Sequence, residues 1–160
     1  MNDESPGRLP LPASLGEIGL SNFAPYLMNR IMGRYNASLR EQMAALGLTT
    51  PKMRALAVLS VIDGLLIRDL AVYAVVEQST LSRALDALAN DGLVRREVDA
   101  EDGRGTRVFL TREGRVAYET LWPHMAESYE RMFKDIGDDE RRAFVGTLHK
   151  VLENIRVHDF

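Results

Sequence analysis

Three features of the chain point to a mainly α fold carrying one small β-hairpin, an α+β arrangement. Apolar residues recur at helical spacing along most of residues 21–160, with glycine and proline where such segments stop and start. Residues 94–111, VRREVDAEDGRGTRVFLT, break that period with two short strand-like runs about a loop holding Gly103 and Gly105. A composition of 46% hydrophobic and 27% charged residues in 160 supports one packed domain with room for an oligomerisation element.

The same composition excludes several classes. Cysteine is absent, which removes disulfides, thiolate catalysis and thiol redox sensing together. No apolar run reaches membrane-spanning length, and MNDESPGRLP lacks the basic-then-apolar order of a signal peptide, so a cytoplasmic protein without a membrane partner is expected. A formal net charge of −3 gives no bulk attraction to nucleic acid, so such a role must rest on where charges sit.

Residues 1–20 hold three of the six prolines and three glycines and read as a flexible arm, with Leu9, Leu11 and Leu15 available to dock on a partner. Residues 21–47 read as a first helix in which Leu27, Ile31, Tyr35, Leu39 and Met43 recur every four residues, capped by Gly47. LTTPKMRALAVLSVI opens a second helix, with Thr49 or Thr50 as N-cap and Pro51 in the first turn, where a missing N–H costs nothing. Asp63-Gly64 ends it.

A strand-like touch at Leu65–Leu66, a short helix over 67–74 and a longer one over about 77–90 follow, the latter burying Leu81, Leu85 and Leu88 at i, i+4, i+7. Gly92 closes that helix, and 93–98 pairs with 106–111 about the loop 99–105. Thr111 caps a long helix to about 136, bent near Pro123, and Asp138 caps the last. Two short helices followed by a two-stranded hairpin make a winged helix-turn-helix over 48–111. Residues 21–47 and 112–160 supply N- and C-terminal dimerisation helices.

Such a unit places its second helix in the major groove, with residues near the helix start against base edges. EQSTLSR puts Ser79, Thr80, Ser82 and Arg83 there: small hydroxyls permit close approach, and an arginine reads guanine bidentately. Capping is the commoner use of a Ser/Thr-rich helix start, so the hairpin decides. DAEDGRGTR offers backbone freedom at Gly103 and Gly105, Arg104 between them, and Asp99 or Asp102 as its partner. Arg104 would enter a narrow minor groove, and Thr106 and Arg107 would meet phosphates. The stretch holds Arg95, Arg96, Arg104 and Arg107 against Glu97, Asp99, Glu101 and Asp102; it is neutral, and the order of its charges is what matters.

These segments resemble the MarR family of bacterial transcriptional regulators. The matching stretches are LTTPKMRAL, IRDLAVYAVVEQSTLSRALDALANDGLVRR and DAEDGRGTRVFLTREGR within Leu48–Arg115, and GDDERRAFVGTLHKVLENI for the last helix. Its most specific part is the D-x-R of the wing followed by LTREGR. The resemblance implies a homodimer on a pseudo-palindromic double-stranded operator, acting as a repressor. It places the recognition contacts on Ser79, Thr80, Ser82 and Arg83, the wing arginine on Arg104 and its bracing acid on Asp102. It also implies release by a small aromatic or phenolic effector held between the dimer helices and the head, where Tyr26, Arg30 and Met53 would offer a ring, a cation and an adaptable apolar wall. A core position for Tyr26 and Met53 and a solvated Arg30 are the competing reading. One departure stands out: in YAVVEQ, Val75 occupies the turn position where the family commonly has glycine, and a β-branched residue resists positive φ.

Rival chemistry finds little support. A calcium loop starting at Asp99 would put Gly103 and Gly105 at ligand positions five and seven and Leu110 at twelve, which fails. No G-K-[ST] follows the glycines, as a phosphate-binding loop requires. His149 and Glu153 are i, i+4, but with His124 and His158 distant in sequence a surface histidine is the better reading. No catalytic residue, metal or cofactor is expected. The apolar residues of the terminal helices (Leu121, Trp122, Met125, Tyr129, Met132, Phe133 and Ile136, then Phe144, Leu148, Val151, Leu152 and Ile155) exceed what a small winged unit can cover, which favours a dimer interface. The alternative function is a winged-helix protein-interaction module that does not bind DNA.

Overall fold

The computed structural model describes residues 14–160, so the reading of Leu9 and Leu11 lies outside the described residues. The chain divides into two compact units between Ser38 and Leu39.

The described part of the first unit begins with a helical turn, α1 (Leu15–Ile18), and a 3-10 turn over Leu20–Asn22, inside the stretch that reads as an arm. Helix α2 (Ala24–Ser38) follows and exposes Leu27, Met28, Ile31 and Met32. The single first helix read from the sequence is broken after Ser38. Its hydroxyl donates to the Tyr35 carbonyl at 2.7 Å, competing with the helical ladder, and Leu39 leaves the helix with its side chain fully buried in the second unit.

The second unit opens with α3 (Arg40–Ala45), which ends at Gly47 in the left-handed region as expected of a C-cap. Helix α4 (Thr50–Val61) takes Thr49 as its N-cap residue and Pro51 in its first turn. It is the central helix: Met53, Ala55, Leu56 and Leu59 are buried, and it packs against α5 (Ile67–Ala74), α6 (Gln78–Asn90), α7 (Arg112–Met132) and β3 (Thr106–Leu110). Leu81, Leu85 and Leu88 of α6 are fully buried against this core, each contributing roughly 1.5–3 kcal/mol.

Strand β1 (Leu65–Leu66), β2 (Val94–Val98) and β3 form an antiparallel sheet in the order β1–β3–β2, with Leu65 opposite Val108 and Arg96 opposite Val108 on the other side. The fold is a winged helix-turn-helix, with the hairpin and the 65–66 touch where the sequence puts them. Gly64 turns at φ 73° and abuts the Phe109 ring, where a Cβ would sit 2.7 Å from a ring carbon. The wing glycines behave differently from expectation. Neither takes positive φ, and Gly105 is needed for space, since a Cβ there would lie 2.9 Å from Leu66 Cδ2.

Helix α7 stops at Met132, short of 136, because Asp135 adopts the left-handed conformation at φ 64°, which aspartate tolerates. Helix α8 (Asp138–Ile155) has Gly137 as its N-cap residue; Asp138 lies in the first turn beside Asp139 and Glu140, where acids complement the helix dipole. Leu121 belongs to the internal core, fully buried, whereas Trp122, Tyr129, Met132 and Ile136 are exposed and α8 buries no residue within the chain. Beyond α8 the chain returns to the head, and the Phe160 ring stacks on Tyr73 of α5 at 4.6 Å between centroids. No helix among the described residues is long and apolar enough to cross a membrane.

Candidate nucleic-acid interface

Helix α6 shows two faces. The leucines point inward, while Ser79, Thr80 and Arg83 are exposed and Ser82 is half-buried. Among the described residues the side chains of Ser79, Thr80, Ser82 and Arg83 make no hydrogen bond or ion pair, so capping is not their role here. The N-cap residue of α6, Glu77, likewise makes no side-chain capping bond.

The turn before α6 resolves how Val75 fits. Val75 sits at φ 53°, ψ 52°, its side chain 77% exposed, and closes α5 with its N–H on Val72 O (3.1 Å) and the Val76 N–H on Ala71 O (3.1 Å). A left-handed valine costs about 1–3 kcal/mol, which surrounding contacts must offset. One of them is long-range: Arg54 Nη1 of α4 donates to the Val75 carbonyl at 3.1 Å.

The four arginines of the hairpin separate cleanly. Arg95 lies over the Phe109 ring at 4.2 Å and pairs with Glu97. Arg96 reaches back to α6, bridging Asp86 at 2.8 Å and donating to the Ser82 carbonyl at 3.4 Å. Arg107, read from the sequence as a phosphate contact, is engaged inside the wing: Nε donates to Asp99 Oδ1 at 2.7 Å and Nη1 to the Gly64 carbonyl at 2.8 Å. Of these four, Arg104 alone has a guanidinium with no hydrogen bond or ion pair to the described residues.

Asp99, 5% exposed, organises the loop. Its carboxylate accepts from Arg107 and from the Asp102 N–H (3.3 Å), while its own N–H donates to the Gly105 carbonyl at 2.9 Å. Asp102 is a brace of another kind than expected: Oδ1 accepts from the Arg104 backbone N–H at 3.3 Å, shaping the tip rather than holding the guanidinium. Asp63, on the turn before β1, accepts from the Leu110 N–H at 2.8 Å and ties the far strand to the core.

The hydrogen bond from Arg107 holds the Asp99 carboxyl below its ordinary range, outweighing the opposing effect of burial. A depressed carboxylate stabilises the fold above its unfolded pKa and loses that contribution as pH falls through the folded value. Asp99→Asn is therefore expected to loosen the wing at neutral pH. The gap from wild type should begin to narrow as pH falls below about 4, the unfolded carboxylate's range, and go on narrowing toward the lowered folded value. Proteolysis of the loop followed from pH 7 to pH 3 checks this; a gap that widens on acidification overturns it.

A groove of about 310 Å³ separates the wing from the start of α6, lined by Leu66, Ile67, Arg68, Gln78, Ser82, Asp102, Arg104, Gly105 and Thr106. It brings Arg104 and Thr106 to the same place as Ser82, and adds Arg68 and Gln78, which the sequence reading missed. Arg68 is exposed at the start of α5, with a loose pairing to Asp69 at 3.7 Å. Its position at the first turn after a strand touch was the available signal.

The remaining candidates lie elsewhere. In the first unit Tyr26 and Arg30 form a pair on α2, with Arg30 Nη1 3.4 Å from the Tyr26 hydroxyl and its guanidinium 5.8 Å from the ring centre. Met53 is 3% exposed in the core of the second unit, so as a ligand-facing wall it is corrected to a packing residue. Among the described residues no group of three or more His, Cys, Asp or Glu is placed to hold a metal ion.

The MarR family model matches residues 46–105, from the start of the head to the wing tip. A crystal structure of a MarR-family transcriptional regulator from Silicibacter pomeroyi is 64% identical, covering 92% of this chain and 99% of its own, with a TM-score of 0.87. The chain belongs to the MarR family. A second MarR-family structure from Silicibacter pomeroyi, 32% identical with a TM-score of 0.81, covers 91% of this chain and 97% of its own. The HTH-type transcriptional repressor IacR of Pseudomonas putida is 27% identical over 144 residues, 90% of this chain and 86% of that protein. As a MarR-family chain the protein is a DNA-binding transcriptional regulator.

Proposed function

We propose that the protein is a homodimeric repressor that reads a pseudo-palindromic operator. Helix α6 of each protomer would lie in a major groove and Arg104 in the adjacent minor groove. The observation that carries this is the separation of engaged from unengaged groups. Arg95, Arg96 and Arg107 are satisfied within the protein, while Arg83, Arg104 and the hydroxyls of Ser79, Thr80 and Ser82 lack side-chain partners among the described residues. A minor groove concentrates negative potential and attracts an arginine otherwise left to water. Local placement thus overcomes a net charge of −3.

The exposed apolar side chains of α7 and α8 support a second copy as their cover, since α8 buries nothing within its own chain. A two-fold dimer repeats the reading head at a spacing that selects half-sites about one helical turn apart. Release by a small aromatic or phenolic acid draws on the Tyr26–Arg30 pair, a ring beside a cation. At 21% and 23% identity, solved structures of this fold include CouR from Rhodococcus jostii bound to p-coumaroyl-CoA and BpsR from Bordetella bronchiseptica, regulated by 6-hydroxynicotinic acid. At that distance the likeness is one of fold, one that accommodates such ligands.

Selection from a random duplex library by purified protein tests the reading, with a pseudo-palindromic sequence expected. Failure to retard any duplex at low salt would favour a protein-interaction module instead. With the selected operator, Arg104→Ala is expected to weaken binding and to lower the salt slope by about one phosphate-equivalent. Unchanged binding across a salt titration would remove the wing from the mechanism.

A further inference from the structure

We propose that Arg54 is a positioning residue for operator recognition: by holding the Val75 carbonyl it keeps a strained turn in the form that sets the register of α6. This rests on the DNA-reading role of α6 and adds to it a residue on another helix. The recognition helix needs an external hold at its start, because Glu77 makes no side-chain cap and the preceding turn places a β-branched residue at φ 53°. Valine returns readily to extended or right-handed backbone, and either change would redirect the chain into α6. The Val75 side chain is 77% exposed, so its own packing contributes little to the hold. What reaches the turn from outside is Arg54 Nη1, 3.1 Å from the Val75 carbonyl and 21 residues away in sequence.

The rest of α6 is fastened by the same means. Arg96 of β2 holds its middle through Asp86 and the Ser82 carbonyl, and Lys52 of α4 pairs with Asp91 at its end, 3.6 Å apart. Lys52 and Arg54 lie two residues apart on α4, so one rigid helix grips both ends of the reading element. The strained end is the one next to Ser79, Thr80 and Arg83, where a small rotation displaces every group that would face a base.

The test measures binding of Arg54→Met, Arg54→Lys, Val75→Gly and the Arg54→Met/Val75→Gly double variant to the duplex selected by wild type and to a scrambled duplex. Losing one charge-assisted hydrogen bond that fixes the turn is expected to lower operator affinity about tenfold. Scrambled-duplex affinity should change little, and Arg54→Lys should recover part of the loss. Glycine takes φ 53° without strain, so the double variant should bind within about threefold of Val75→Gly. The salt slope should stay at the wild-type value.

Equal losses in the valine and glycine backgrounds, or operator affinity unchanged in Arg54→Met, would overturn the inference. So would a slope reduced by about 0.9, which marks a direct phosphate contact by Arg54. A wild-type protein that selects no duplex would sink the repressor reading, and amide exchange then tests the turn alone. Val76, whose N–H donates to the Ala71 carbonyl, should exchange faster in Arg54→Met and return to the wild-type rate in the double variant; unchanged exchange refutes the hold.

Discussion

Gly114→Ala is expected to destabilise the protein by about 3 kcal/mol, the upper end for overpacking, and to lower its melting temperature by about 6–12 °C. An added Cβ would lie 2.0 Å from the Leu93 carbonyl oxygen and 2.9 Å from Leu110 Cδ1, and backbone cannot yield as a side-chain tip can. That carbonyl already accepts the Thr111 N–H at 3.1 Å, while the Thr111 hydroxyl donates to Gly92 O at 2.7 Å and accepts from the Gly114 N–H at 3.0 Å. The first turn of α7 is thus bonded to the end of α6 and the start of β2, and moving it strains all three. Gly103→Ala is the control, with open space around it and no positive φ, and should stay within about 0.5 kcal/mol of wild type. Thermal unfolding monitored by circular dichroism decides; a Gly114→Ala midpoint within about 2 °C of wild type would show that the junction relaxes freely.

This junction explains why LTREGR is legible as a motif: threonine caps, and glycine alone permits the approach. The head was legible for the same kind of reason. Gly47, Gly92 and Pro51 sit where helix geometry requires them, and the spacing of Leu81, Leu85 and Leu88 leaves one face for the core. Each signal is local, and local signals survive in a sequence. The first helix was less legible because its break depends on Leu39 being drawn into the second unit, an event that no four-residue repeat records.

At the site, residue types were readable and partners were not. Arg104 and Arg107 look alike in DGRGTR, yet one is unengaged and the other bonded to Asp99 and Gly64. That difference comes from the pairing of β3 with both β1 and β2, which brings Gly64 beside the hairpin. Arg54 was invisible for a similar reason: its partner is a backbone carbonyl 21 residues on, with no side-chain identity to betray it. Met53, expected as a ligand wall, is one of the buried residues of α4.

Arg83→Ala is expected to cost about 1–3 kcal/mol in operator affinity, a loss of fivefold to over a hundredfold by the usual conversion of about 1.4 kcal/mol per factor of ten. Two facts set that size. Arg83 is exposed on α6 with no partner among the described residues, so truncation leaves no buried group unpaired and the cost falls on the complex rather than on the fold. Its helix is also held against rotation one turn on by the Arg96–Asp86 pair at 2.8 Å, which fixes the backbone position from which the arginine extends. A base-reading arginine loses affinity selectively. Preference should relax at one position in each half-site, scrambled-duplex binding should change little, and Arg83→Lys should restore charge without the bidentate fork or the specificity. Binding isotherms on single-base operator variants measure this. A uniform loss over all variants, recovered by lysine and accompanied by a smaller salt slope, would make Arg83 a phosphate contact and move base reading to Ser79, Thr80 and the groove-lining Gln78.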